Sequence, residues 1–278
     1  MISIVYSGSC QEYELKRIHE EAKNYDNLEL INSDDITFPP ESQFKNTKVF
    51  YFIGSLRKMG ISNLEVLASY LKKRNIRIVN RVIENYHIMN KTFFYYKMLE
   101  NNIKIPKIKK INSEKNYKEI LDLGFPVIAK FDYIHLGKGV FLIENMEELL
   151  EFLNKNKDKL AHIIFQEYIP YERDVRVIVI GDPIGGMERI NPISFKANIA
   201  QGGYGKPFKI DEEIREISKN LSKIFDIEIF AFDVLIKGKT KYVIDLHIIF
   251  RFEGFEKYTK VNVARRILEY LNEVHNKS

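Results

Sequence analysis

The sequence contains no tryptophan and a single cysteine, Cys10, in 278 residues. One cysteine cannot close an internal bridge, so a disulfide scaffold is excluded and Cys10 is expected to be a small core residue. No apolar run approaches the roughly 20 residues that span a bilayer. Met1 leads directly into a strand-like segment, with no signal-peptide pattern. Neither sign of charge dominates, since 43 Lys and Arg stand against 38 Asp and Glu for a net charge of +5. The strong basicity of a nucleic-acid binder is therefore missing. The densest lysine cluster, Lys104, Lys107, Lys109 and Lys110, is expected to coat an exposed strand or loop. Also absent are G-x-x-x-x-G-K-S/T, H-E-x-x-H, C-x-x-C and G-x-S-x-G, which leaves P-loop hydrolysis, zinc hydrolysis and serine esterase chemistry without local support. What remains is a soluble protein, expected in the cytoplasm, with 45% apolar residues and chain enough for about two domains.

Strand and helix patterns alternate over the first 80 residues. Ile2-Ser3-Ile4-Val5-Tyr6 and Val49-Phe50-Tyr51-Phe52-Ile53 read as strands, the second apolar throughout and so buried on both faces. With strands at 28–31 and 76–79 and helices at 12–25 and 64–73, a small parallel sheet is expected. Its first turn, Ser7-Gly8-Ser9-Cys10, lacks the glycine spacing of a dinucleotide site. A long helix is expected over 84–101, with Tyr86, Met89, Phe93, Tyr96 and Leu99 on its apolar face. Then follow a helix at 112–123, strands at 127–131 and 140–143, a helix at 146–154 and a strand at 163–168. The last third is strand-rich, at 175–180, 185–190, 227–236 and 241–248, with helices at 211–224 and 262–274. The tight turn Lys237-Gly238-Lys239-Thr240 makes the last two strands antiparallel neighbours. The expected units are residues 1–82, 83–169 and 170–278, the first α/β with a parallel sheet and the other two α+β with antiparallel sheets.

Residues able to carry chemistry gather in four places. Lys130 ends an apolar strand shortly before Gly137-Lys138-Gly139, a cation followed by a glycine turn whose backbone N–H groups suit phosphate; a surface lysine and a hairpin turn are the plainer alternative. Gln166-Glu167-Tyr168-Ile169 precedes Asp174-Val175-Arg176, where acid and base share one strand face and a cross-strand ion pair is the alternative. Lys196 and Asn198 precede Gln201-Gly202-Gly203, where a flexible polar loop is expected. Asp233 lies inside an apolar strand, and Asp245 and His247 stand two apart on its expected neighbour. Residues two apart share a face, so three ligands converge, and carboxylates among Phe, Val and Ile are costly unless paired or metal-bound.

In this order the pieces resemble the ATP-grasp superfamily, and within it the RimK-type α-L-glutamate ligases, from about residue 80 to the C-terminal helix. The phosphate segment K-x-x-x-G-x-x-G-x-G-V falls on residues 130–140 and the Q-E-F/Y-I hinge on Gln166-Glu167-Tyr168-Ile169. D-I/V-R falls on Asp174-Val175-Arg176, R/K-x-N-x-x-x-G-G on residues 196–203, and E-G-I/F-E-K on Glu253-Gly254-Phe255-Glu256-Lys257. The resemblance implies an ATP-grasp fold preceded by a small parallel-sheet domain, and ATP between the two lobes. Adenine would lie at Gln166, Glu167, Tyr168 and Ile169, with Lys91, Lys130, Lys138 and Gly139 about the phosphates and Asp174 toward the ribose. Lys196 and Asn198 would reach the γ-phosphate, and Arg176 would hold a substrate carboxylate. Asp233, Asp245 and His247 would hold one or two Mg²⁺ or Mn²⁺ ions. The implied reaction is phosphoryl transfer to a carboxylate, then attack by an amine, which needs positioning and charge rather than a side-chain nucleophile. The family often forms dimers or tetramers, so a homo-oligomer is implied as well.

The chain departs from the family pattern in its phosphate and metal segments. The metal strand reads Asp245-Leu246-His247 in place of E-V-N, shortening one carboxylate arm and exchanging an oxygen donor for imidazole. Ile248-Ile249-Phe250-Arg251 replaces a small turn, and Ile134 and His135 replace a glycine and a hydroxyl residue in the phosphate segment. Two main readings follow: a carboxylate–amine ligase adding glutamate or another amino acid to a small metabolite or protein tail, and a catalytically impaired relative that binds nucleotide in a regulatory role. Arg57 and Arg81 are candidates for acceptor contacts.

Overall fold

The computed structural model describes residues 1–7, 12–54, 59–81, 84, 90–132, 139–192 and 202–277. Cys10, Arg57, Tyr86, Met89, Ile134, His135, Lys138, Lys196, Asn198 and Gln201 lie outside them. Each of three sheets is built from one contiguous stretch of chain. The first holds β1 (Ile2–Tyr6), β2 (Leu28–Asn32), β3 (Val49–Ile53) and β4 (Arg77–Ile78) in the order β2-β1-β3-β4, every pair parallel. Helices α1 (Glu12–Ala22) and α2 (Ile61–Lys73) provide crossovers. All five residues of β3 are buried because the sheet is covered on both sides. Phe50 and Phe52 meet Leu64, Leu67 and Leu71 of α2, while Val49, Tyr51 and Ile53 face the other way.

Helix α3 (Lys91–Glu100) begins at Lys91, not at residue 84, because the Asn90 side chain accepts from the Phe93 N–H and caps the first turn. The second sheet follows, with β5 (Ile108–Lys109), β6 (Val127–Phe131), β7 (Val140–Ile143) and β8 (Ile163–Glu167) in the antiparallel order β5-β8-β6-β7. The expected helix at 112–123 is split into a 3-10 turn, Glu114–Asn116, and the short α4 (Lys118–Leu121). Together with α5 (Met146–Lys155), α4 covers the face carrying Val127, Ala129 and Phe165. By alternation and register the opposite face carries Ile108, Ile128, Lys130, Ile164 and Gln166, and Ile164 packs with Phe94, Tyr95 and Met98 of α3.

The third sheet runs β11-β10-β9-β12-β13, all antiparallel, from β9 (Arg173–Ile180), β10 (Asp182–Ile190), β11 (Tyr204–Phe208), β12 (Ile229–Lys237) and β13 (Thr240–His247). One face is filled by Ile214, Leu221 and Phe225 of α6 (Glu212–Phe225). Strand β11 and the helix α7 (Glu253–Thr259) have no counterpart in the sequence reading. The last helix, α8 (Val263–Lys277), sends Ile267, Leu268 and Leu271 into a core shared by the first and third sheets. Buried Glu14 of α1 accepts from the N–H groups of Phe252 and Glu253, and Glu256 accepts from those of Val263 and Ala264, so carboxylates satisfy the starts of both closing helices. No helix among the described residues is long and apolar enough to cross a membrane.

Candidate active site

Register on the third sheet puts Arg176 opposite Asp233, Asp174 opposite Arg189, and Asp233 opposite Asp245. A bulge between Asp233 and Val234 interrupts the β12–β13 ladder at this point. Arg176 joins Asp233 twice, Nε to Oδ1 at 2.8 Å and Nη2 to Oδ2 at 2.9 Å. Arg189, also buried, bonds Asp174 Oδ1 through Nε at 2.7 Å and reaches Asp233 Oδ2 through Nη1 at 3.1 Å. His247 Nε2 lies 3.2 Å from Asp233 Oδ2, 3.0 Å from Arg176 Nη2 and 3.7 Å from Asp245 Oδ2. Burial opposes ionisation of Asp233, yet the arginines and His247 outweigh it and hold the carboxyl well below its usual range. Burial pushes the Asp174 carboxyl up, with Arg189 pulling against it.

Two lysines from the facing side close on Asp245. Lys91, the first residue of α3, places Nζ 2.6 Å from Asp245 Oδ2. Burial works against the Asp245 charge, but Lys91, His247 and Lys130 prevail and hold its carboxyl low. Lys130 is 8% exposed; its Nζ donates to Tyr95 Oη and to the Ile244 carbonyl, both at 3.3 Å, and sits over the Tyr95 ring. Burial lowers the Lys130 ammonium to about 8. On the same face of the second sheet Gln166 is buried; its Nε2 has no acceptor at hydrogen-bond geometry among the described residues, and the Tyr95 hydroxyl is the group it acts on. Glu167 pairs with Lys107 through main-chain and side-chain bonds, and Ile169 is buried. Thus α3, the second sheet and the third sheet bring lysines, arginines and carboxylates to one place.

A model of the RimK-like ATP-grasp domain matches residues 89–271. The chain belongs to the RimK-like ATP-grasp family. The glutamate–LysW ligase ArgX of Sulfurisphaera tokodaii is 33% identical over 198 residues, covering 68% of this chain and 70% of that one. The coenzyme γ-F420-2:α-L-glutamate ligase of Methanococcus maripaludis is 26% identical and covers 98% of both chains. Among solved structures, the ATP-grasp ligase PsnB complexed with a minimal precursor, Mg and ADP has a TM-score of 0.74 at 15% identity, over 98% of this chain and 96% of that chain. The fold is the ATP-grasp fold, and the chain is an ATP-dependent ligase forming a carbon–nitrogen bond.

Within this ATP-grasp cleft the structure draws together Lys91, Lys130, Asp174, Arg176, Asp233, Asp245 and His247. Gly139 lies beside the Lys130 end of β6, its carbonyl accepting from the Phe131 N–H, and Gln166, Glu167, Tyr168 and Ile169 form the far end of β8 and the stretch after it. Asp174 and Arg176 make the cross-strand pairs that were the alternative to ligand contacts. Arg189 was not anticipated: nothing local marks it, although a buried arginine two strands from Asp233 is what a buried carboxylate demands. Lys110 is exposed, as expected of the lysine cluster, yet its Nζ also lies 2.9 Å from buried Asp132. Asp233, Asp245 and His247 each offer a ligand atom, all within 4.8 Å of one another. Two carboxylates and an imidazole fit a divalent cation, the carboxylates suiting Mg²⁺ and the imidazole suiting Mn²⁺ better.

Proposed function

We propose that the cleft between the second and third sheets holds ATP and that the chain joins a substrate carboxylate to the amine of an α-amino acid, glutamate first among them. The observation that carries this reading is the meeting of Lys91 and Lys130 with Asp245 and the Arg176–Asp233 pair, within a chain of this family. A carboxylate oxygen attacks the γ-phosphorus, the bond from the β–γ bridging oxygen to the γ-phosphorus breaks, and ADP leaves with that electron pair. The amine nitrogen then attacks the acyl carbon, phosphate departs, and the nitrogen loses a proton. Lys91 and Lys130 offset phosphate charge, and Gln166 Nε2, without a well-placed acceptor among the described residues, offers a donor at the adenine end. Arg176 steadies Asp233 and is the guanidinium nearest the metal ligands. Asp233, Asp245 and His247 would hold Mg²⁺ or Mn²⁺, which neutralises phosphate charge when bound. Several relatives carry glutamate in their names, which supports glutamate as the amine. The test is ADP and phosphate release with ATP, Mg²⁺ or Mn²⁺, glutamate and a panel of carboxylates, with LysW, named in the first relative, included. Release that requires both acid and amine supports the ligase. ATP bound and never turned over, whatever the pair, would overturn it in favour of a regulatory nucleotide binder.

A further inference from the structure

Asp132 is 5% exposed and lies two residues beyond Lys130, just past the end of β6. A bare carboxylate there would repel a polyphosphate approaching Lys130. It is not bare. Lys110 Nζ lies 2.9 Å from its Oδ2 and donates at 2.8 Å to Thr92 Oγ1, which in turn donates to Asp132 Oδ2 at 3.2 Å. The triangle closes on itself. It ties the end of β6 to the second residue of α3, whose first residue, Lys91, reaches Asp245. The matching motif leaves position 132 free and does not reach position 110.

We propose that Lys110 is a positioning residue for the phosphate end of the nucleotide. With Asp132 and Thr92 it forms a clip that cancels the Asp132 charge and fixes the first turn of α3, so that Asp132 does not compete with the phosphates for Lys130. This rests on the nucleotide reading given above. Lysine is used because one ammonium satisfies a hydroxyl and a carboxylate at once. The effect must therefore grow with the number of phosphates, which a purely structural clip would not require.

Calorimetric titration of the folded chain with ATP and with AMP, each with Mg²⁺, tests it without any acceptor. Lys110→Ala is expected to weaken ATP about tenfold and AMP less than about twofold. In Lys110→Ala/Asp132→Asn the anion is gone as well, and ATP affinity is expected to return to within about threefold of the parent. Equal losses for ATP and AMP, or a double variant no tighter than Lys110→Ala, would overturn the clip. Lys130→Met separates the two ideas. If it weakens ATP while Lys110→Ala does not, the clip alone fails; if neither weakens ATP, the nucleotide reading fails with it.

Discussion

Arg176 and Asp233 face each other across β9 and β12 and are joined by two parallel hydrogen bonds, at 2.8 Å and 2.9 Å. The arginine expected to grip a substrate carboxylate thus already grips one belonging to the chain. Because Arg189 also reaches Asp233, the carboxylate is the hub of a buried network as well as a candidate metal ligand.

Removing the hub's charge strands two guanidinium groups. Asp233→Asn is expected to destabilise the fold by about 3–5 kcal/mol, the usual cost of breaking a buried pair from one side. The measurement is the urea midpoint in the absence of nucleotide. A loss below about 1 kcal/mol would mean that Arg176 and Arg189 repair their own surroundings.

Lys130 gives a pH signature. Burial lowers its ammonium to about 8, against an unfolded value near ~10.4. Between these limits the unfolded chain holds a proton that the folded chain has released, so stability from this group rises with pH across that window. Below about pH 8 both states are protonated and the full cost of burying the charge is felt. Lys130→Met should abolish the rise, seen as the difference between the two stability curves from pH 7 to 10. Phosphates drawn to Lys130 raise its proton affinity, so ATP binding near pH 8.5 should take up protons. Titrations in buffers of different ionisation enthalpy read this uptake directly. Equal apparent heats in all buffers would contradict the assignment.

His247 is expected to set the metal preference of the proposed site. Imidazole is a poor partner for Mg²⁺ and an acceptable one for Mn²⁺. With ADP present, Mn²⁺ bound to the chain should show nitrogen coupling in its electron spin echo, and His247→Asn should remove it. The same variant should shift the ratio of Mn²⁺ to Mg²⁺ affinity toward Mg²⁺ by about tenfold. An unchanged spectrum would take His247 out of the coordination sphere.

The sequence made some of this legible for a simple reason: periodicity and tight turns are local. Alternation placed the parallel strands, and a two-residue spacing beside a tight turn was enough to bring Asp233, Asp245 and His247 together. Arg189 and the Lys110–Asp132 pair were hidden because they arise from strand order, joining residues with no sequence pattern in common. Helix α7 was hidden by the apolar run ahead of it, since Ile248, Ile249 and Phe250 read on from β13. The core that α8 builds between the first and third sheets is likewise a product of topology.

Among the polar contacts that fasten the first sheet's unit to the third, one buried asparagine makes the last prediction. Asn80, just past β4, has a positive φ of 62° and is 4% exposed. Its Nδ2 donates to the Ile229 carbonyl at 2.6 Å, and its Oδ1 accepts from the Glu228 and Ile229 N–H groups at 2.8 Å and 2.9 Å. The side chain thereby acts as a strand partner for the start of β12, and asparagine tolerates the left-handed backbone better than most residues. Asn80→Ala leaves buried groups unpaired and adds backbone strain, so a loss of about 3–5 kcal/mol is expected. Asn80→Gly relieves the strain alone and should recover up to about 1 kcal/mol. Because the first and third sheets share a core, both variants should unfold them in one transition at a lower urea concentration. ATP affinity, measured well below that midpoint, should stay within about twofold of the parent. Separate transitions for the two sheets would show that Asn80, and not the apolar contact with α8, is what couples them.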